Sequence, residues 1–280
     1  MRSESASEFS LARPANLDAV EGLPLAGGTD LVPLLRDGLV EAETLSDVRA
    51  LLPRGLGDGR IGAGTTLAEL ERSEAAPDVL REACRLAASP QLRNMGTIGG
   101  NLLQATRCWY WRLDFRCYLH GGDRCHAREG EHREHAIFAN ERCASAHPSD
   151  PAAALLALRT TVETGRRTFP LAELYRLPTD DDRDLTTLEP GELILQLEIE
   201  RPDASVYLKA MDRRRWSFPL VGVAAARFGD DVRLALAGVA PIPWALASSG
   251  ELEAATPLTG TAYKVELARV LIERALDAVK

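Results

Sequence analysis

Four of the chain's five cysteines and all five of its histidines fall between Thr97 and Asp150. The thiols are Cys108, Cys117, Cys125 and Cys143, and the imidazoles are His120, His126, His132, His135 and His147. Trp109, Tyr110, Trp111, Phe115 and Tyr118 crowd the same stretch. Soft ligands gathered this densely look like a metal or cluster site beside a glycine-rich anion loop. It opens on the glycine motif Thr97-Ile98-Gly99-Gly100-Asn101 and closes on His147-Pro148-Ser149-Asp150.

The cysteines run Cys108-x8-Cys117-x7-Cys125-x17-Cys143. Zinc knuckles use close C-x2–4-C pairs, because one turn supplies two ligands. No such pair is present. Four thiolates on a long loop suit an iron–sulfur cluster. Zinc with mixed Cys/His ligands is the rival, since His120, His126, His132 and His135 are to hand. A loop packed by its aromatics, with no metal, is the third reading. Spacing alone leaves all three open. Cys84 lies in a helical pattern over 77–88, with Leu80 and Ala87 on its face, and reads as a core thiol.

Composition narrows the class. The net charge of −8 argues against a nucleic-acid or anionic-membrane binder. No apolar run approaches the roughly 18 residues of a membrane span. Met1 to Pro14 lacks the apolar centre of a signal peptide. An odd cysteine count with four clustered suits a disulfide scaffold poorly. The expectation is a cytoplasmic protein, with export alongside a signal-bearing partner left open.

A second glycine motif stands earlier. The short apolar run Leu23-Pro24-Leu25-Ala26 reads as a strand, empties into Gly27-Gly28-Thr29-Asp30, and is followed by the helical pattern Leu31, Val32, Leu34, Leu35. Strand, glycine turn and helix leave backbone N–H groups free for a phosphate. A tight βα turn without a ligand fits as well. Neither motif has the spaced glycines of the Rossmann fingerprint or a Walker lysine, so a different dinucleotide fold is indicated.

The remaining chain reads in order as follows. Residues 1–22 hold one strand and a short helix. Arg60 to Gly64 is a strand with a glycine turn, and Thr66 to Glu69 is a capping box. Ser149 caps a helix from Pro151 to Leu158. Thr160–Thr164 and Thr168–Pro170 form a hairpin, and Leu171 to Leu177 a short helix. The acidic stretch 179–184 marks a boundary between a domain over 1–178 and a second over 185–280. Strands then run Glu192–Glu200, Ser205–Met211, Leu220–Phe228 and Val232–Val239. Tyr263 to Val279 closes as an amphipathic helix. The class is α+β. Asp150 starts a helix, where its charge suits the dipole. Lys209 lies in a strand facing a ligand or solvent, and Arg213-Arg214-Arg215 is a solvated or partner-facing run. No nucleophile constellation stands out, which fits chemistry carried by a cofactor.

These residues resemble a known family. Ala26 to Leu31 and Thr97 to Asn101 look like the two FAD pyrophosphate loops of the flavin subunit of molybdenum hydroxylases. Asn101 to Cys108, Cys117 to Gly122, Ala127 to Gly130 and His135 to Phe138 resemble the branch whose flavin subunit carries an inserted [4Fe-4S] loop, here about residues 104–146. The resemblance implies a two-part FAD-binding domain followed by a smaller α+β domain. It assigns FAD contacts to Leu25, Ala26, Gly27, Gly28, Thr29, Asp30, Leu31, Thr97, Ile98, Gly99, Gly100 and Asn101, chiefly through backbone amides. Asp150, Leu193 and Lys209 match further flavin positions. Cys108, Cys117, Cys125 and Cys143 match the cluster ligands and lift the cluster above zinc. The implied job is electron transfer between a [2Fe-2S] subunit and an external carrier, with a molybdenum-cofactor subunit acting on the substrate. A free-standing flavin oxidase or reductase and a zinc-binding interaction module are the alternatives.

Overall fold

A computed structural model of the chain describes residues 9–213 and 217–280. Arg214 and Arg215 of the arginine run lie outside them. The first lobe begins with β1 (Ser10–Ala12), β2 (Leu23–Leu25), α1 (Leu31–Arg36) and β3 (Thr44–Asp47). The three strands form a parallel sheet in the order β1-β3-β2. Next come β4 (Leu56–Gly57), β5 (Arg60–Gly62), α2 (Leu67–Arg72), α3 (Asp78–Leu86), α4 (Pro90–Met95) and α5 (Ile98–Leu102). The capping box that starts α2 is complete: Thr66 accepts from Glu69 N–H, and the Glu69 carboxylate accepts from Thr66 N–H.

The cysteine stretch follows as irregular chain with only α6 (Trp109–Arg112) and short 3-10 turns. Regular structure resumes at α7 (Asp150–Ala157), capped by Ser149 Oγ, which accepts from Ala152 N–H. The hairpin β6 (Thr161–Thr164) and β7 (Thr168–Pro170) and then β8 (Ile194–Glu198) complete a five-stranded sheet in the order β4-β5-β8-β6-β7. The second lobe is an antiparallel meander of β9 (Ala204–Ala210), β10 (Val221–Phe228), β11 (Asp231–Ala237) and β12 (Trp244–Leu246), covered by α8 (Tyr263–Ala278).

Strand β10 explains how the lobes join. Its residues alternate between two cores, as a strand's period of two requires. Ala224 and Ala226 pack with Leu80, Ala83 and Leu155 of the first lobe. Val221, Val223 and Ala225 pack with Ala268, Leu271 and Ile272 of α8. The sheet is therefore a shared wall, buried on both faces.

The fold is α+β, as the sequence indicates, but two expectations change. The boundary at 179–184 does not separate the sheets. Strand β8, beyond it, pairs antiparallel with β5 and β6 and buries Leu197 in the first lobe. The acidic stretch instead clasps the cysteine loop: Asp180 accepts from Tyr118 Oη at 2.7 Å, and Arg183 donates to Tyr118 O and Gly122 O. Residues 97–101 are not a loop. Thr97 caps α5 by accepting from Gly100 N–H, so both glycines lie in a helix.

Candidate functional site

The first glycine motif lines a cleft of about 350 Å³. Every residue from Leu25 to Leu31 borders it, with Thr97, Gly99 and Gly100 opposite and Leu193 at one side. The amides of Gly27, Gly28 and Thr29 donate to no acceptor among the described residues. Gly28 has a φ of +68°, a conformation that L side chains avoid. A Cβ on Gly27 would fall 2.0 Å from Met95 O, so the end of α4 requires glycine there. Asp30 makes no cap bond to α1. Its carboxylate instead accepts from Ala105 N–H at 2.7 Å and from Arg112 at 2.9 Å, with Arg107 at 2.8 Å. Asp30 thus ties the glycine turn to the start of the cysteine loop.

The second motif contributes differently from the expectation of free amides. Ile98, Gly99 and Asn101 donate their N–H groups to Thr65 O, Ala63 O and Thr97 O. A Cβ on Gly99 would lie 3.0 Å from Ala63 Cβ, so this glycine lets α5 sit close to the turn after β5. Ile98 is in the core, and the Asn101 side chain accepts from Ser149 Oγ at 2.6 Å. Neither borders the cleft. Sequence reasoning missed Glu192, which also lines it. Glu192 accepts from Thr164 and Arg167, and the Arg167 guanidinium holds its carboxyl down to about 2. A smaller hollow of about 210 Å³ shares Ala26, Gly27 and Thr97 and adds Arg49 and Arg54.

Asp150 and Lys209 come together away from these glycines. Lys209 Nζ lies 2.8 Å from the Asp150 carboxylate and donates to Leu86 O and Ser217 O, while Tyr207 Oη donates to Asp150 at 2.5 Å. The trio joins α7, the end of α3 and β9. Burial pushes the Asp150 carboxyl up, with the Lys209 charge and the Tyr207 hydroxyl opposing it.

The loop cysteines share one environment. Cys125 and Cys143 are hydrogen-bonded, and Cys125 Sγ also accepts from Ala144 N–H at 3.4 Å. These bonds pull Cys125 down to about 6 and push Cys143 up. Burial raises Cys108 to about 11, and negative charge on Cys125 adds to the upward push on Cys108 and Cys117. Cys117 and Cys143 are buried; Cys108 and Cys125 are half-buried. Cys108 Sγ lies 3.2 Å from His135 Nε2 and borders a hollow of about 170 Å³ with Arg107 and Phe218. Cys84 is fully buried in the first core, apart from the four. Among the described residues no group of three or more His, Cys, Asp or Glu side chains is placed to hold a single metal ion.

A glycine cradle between small sheets, with free backbone amides facing a cleft, suits the phosphates of a nucleotide cofactor. The sequence profile described as "FAD binding domain in molybdopterin dehydrogenase" matches residues 9–202. The chain is similar to the aldehyde oxidoreductase FAD-binding subunit PaoB of Escherichia coli (strain K12), with 39% identity over 242 residues, 79% of this chain and 75% of that one. It is also similar to the carbon monoxide dehydrogenase medium chain of Afipia carboxidovorans, with 41% identity over 87 residues, 28% of this chain and 30% of that one. A crystal structure of a Cu,Mo-CO dehydrogenase shares its fold, with a TM-score of 0.68 at 23% identity over 97% of each chain. The chain belongs to the family of FAD-binding subunits of molybdenum hydroxylases, and is an oxidoreductase subunit.

Proposed function

We propose that the chain binds FAD in the 350 Å³ cleft and one [4Fe-4S] cluster on the cysteine loop, and passes electrons between a [2Fe-2S] partner subunit and an external carrier. A molybdenum-cofactor subunit would act on the substrate. The carrying observation is the cleft itself, where Gly27, Gly28 and Thr29 present three unengaged amides beside a glycine at positive φ. Such a nest suits a pyrophosphate. Gly99 and Gly100 form the opposite wall, with no side chain to obstruct a ligand, and Leu193 flanks them. Bound FAD supplies one- and two-electron exchange.

The cluster reading rests on the donor set. Cys108, Cys117, Cys125 and Cys143 are four thiols on one loop whose charges influence one another. A tetrahedral zinc, with Zn–S bonds of about 2.3 Å, would draw its ligands to a single point. Three of the loop histidines are turned elsewhere: His120 bonds Phe115 O, His126 bonds Arg116 O, and His132 bonds Ala127 O and Gly130 O, while His135 lies beside Cys108. The loop that carries the four cysteines is held to the acidic stretch by Asp180 and Arg183, which bond Tyr118 and Gly122. The domain division that accompanies this reading is a FAD-binding unit over 9–202, which also carries the cysteine loop, and a smaller α+β lobe from 203 onward, in place of a division near 179–184.

Anaerobic purification of the full chain, with flavin identified after release and iron and zinc quantified, tests the proposal. FAD and about four irons per chain are expected. A colourless protein retaining one zinc would overturn both assignments. FAD with zinc would overturn the cluster alone.

A further inference from the structure

His135 differs from the other loop histidines. The residue is 2% exposed, and Nε2 lies 3.2 Å from Cys108 Sγ. The ring is held edge-on by Trp109, with centroids 4.8 Å apart. Its backbone is fixed from both sides. The N–H donates to His132 O, and the carbonyl accepts from Lys264 Nζ at 2.9 Å. Lys264 is a fully buried lysine on α8, and its other two bonds go to Glu134 O and Gly238 O. A buried amine that donates to three carbonyls is a rigid anchor, since moving any acceptor strands a buried donor.

The surroundings of the second ring nitrogen favour one tautomer. His135 Nδ1 is buried and has no partner among the described residues. A proton there would be a buried donor with no acceptor, a costly arrangement. A proton on Nε2 leaves Nδ1 as a bare lone pair and aims the N–H at Cys108 Sγ. A ligated thiolate can only accept, so donor and acceptor match. Hydrogen bonds to ligand sulfurs and net charge set the potential of iron–sulfur clusters. A donor to sulfur favours the more negative, reduced state and raises the potential.

We infer that His135 is a positioning residue that donates an N–H···S hydrogen bond to Cys108 and thereby sets the reduction potential of the cluster. The inference rests on the cluster reading above. It concerns the residue next to the thiolate and leaves the ligand set at four cysteines.

The test uses the full chain, purified anaerobically, with iron content and the cluster midpoint potential followed by EPR-monitored titration. His135→Leu removes the donor. His135→Gln places a side-chain N–H near the position of Nε2. All three proteins are expected to carry full iron. In His135→Leu the one-electron reduction equilibrium should fall about tenfold, a shift of about 59 mV to lower potential. His135→Gln should recover most of it. In the wild type with ¹⁵N-labelled histidine, pulsed EPR of the reduced cluster should show a weak nitrogen coupling with an exchangeable proton. Equal potentials in wild type and His135→Leu at full iron would overturn the inference. So would a strong, directly bonded nitrogen coupling, which would make His135 a ligand. If the variants lose iron, the wild-type spectrum decides, and absence of any histidine coupling overturns the inference. A wild-type chain without iron contradicts the cluster reading itself and is a separate result.

Discussion

Replacing Asp150 by asparagine should destabilise the protein by about 3 kcal/mol. The carboxylate is almost wholly buried and serves two donors, Lys209 Nζ at 2.8 Å and Tyr207 Oη at 2.5 Å. Asparagine keeps the volume but removes the charge, and its amide NH₂ must face one of these donors. Breaking a buried ion pair from one side costs roughly 3–5 kcal/mol, because the remaining charge is left uncompensated. Here Lys209 keeps two carbonyls, Leu86 O at 3.0 Å and Ser217 O at 2.8 Å, which places the cost at the lower end. Against a total stability of about 5–15 kcal/mol this is large. At about 2–4 °C per kcal/mol for a chain approaching this size, the melting temperature should fall by about 6–12 °C. The assay is urea unfolding at pH 7 by circular dichroism, with both proteins stripped of flavin so that ligand binding does not shift the midpoint. Adding Lys209→Met to the asparagine variant removes the stranded charge and should recover part of the loss. A single variant within about 1 kcal/mol of wild type would refute the argument. Intact stability with lost flavin would show instead that Asp150 serves the cofactor.

Three further outcomes are expected. Gly28→Val should abolish flavin retention, since a β-branched residue at a φ of +68° is strained and its Cβ would meet Val32 and Leu25 within 3.3 Å; Gly99→Val should do so by pushing α5 off Ala63, and full flavin occupancy in both would count against the cleft. Serine at Cys108, Cys117, Cys125 or Cys143 should lower iron and loosen the loop to proteolysis, because cluster binding and folding are coupled, whereas Cys84→Ser should leave iron at wild-type content. His147 is buried and neutral, its pKa held down to about 3 by desolvation. Below about pH 6.5 the unfolded chain therefore takes up a proton that the folded chain refuses, so stability should fall with pH by up to about 1.4 kcal/mol per unit until about pH 3. His147→Gln should show a shallower loss between pH 7 and 5 in urea midpoints; an unchanged slope would refute this.

Local chemistry made much of this legible. The Thr66–Glu69 box and the Ser149 cap stand in the structure where their short-range patterns put them. What escaped depends on distant partners. Strand β8 reads as the first of a new domain because its neighbours β5 and β6 are remote in sequence. The glycines of α5 look like a loop because glycine disfavours helix interiors, yet the close approach to Ala63 requires one there. Residues 179–184 look like a linker by composition, and only the loop they clasp gives them a role. At the candidate site, the glycine turn of residues 27–30 could be read directly from strand, turn and helix order. Lys264 could not, since a lysine beside an apolar stripe reads as exposed while its acceptors, Glu134 O, His135 O and Gly238 O, come from elsewhere.

The fastening of the cysteine loop to α8 has a consequence for how the protein is made. Tyr263 Oη donates to Arg133 O, Gly260 N–H to His132 Nε2, and Lys264 to the carbonyls of Glu134 and His135. These fasteners leave the ribosome after all four cysteines have emerged. During synthesis the thiols are exposed on an unclosed segment, open to oxidation. The loop closes only once α8 has emerged and docked on it. A nascent chain stalled before Tyr263 would present the same cysteines without these fasteners.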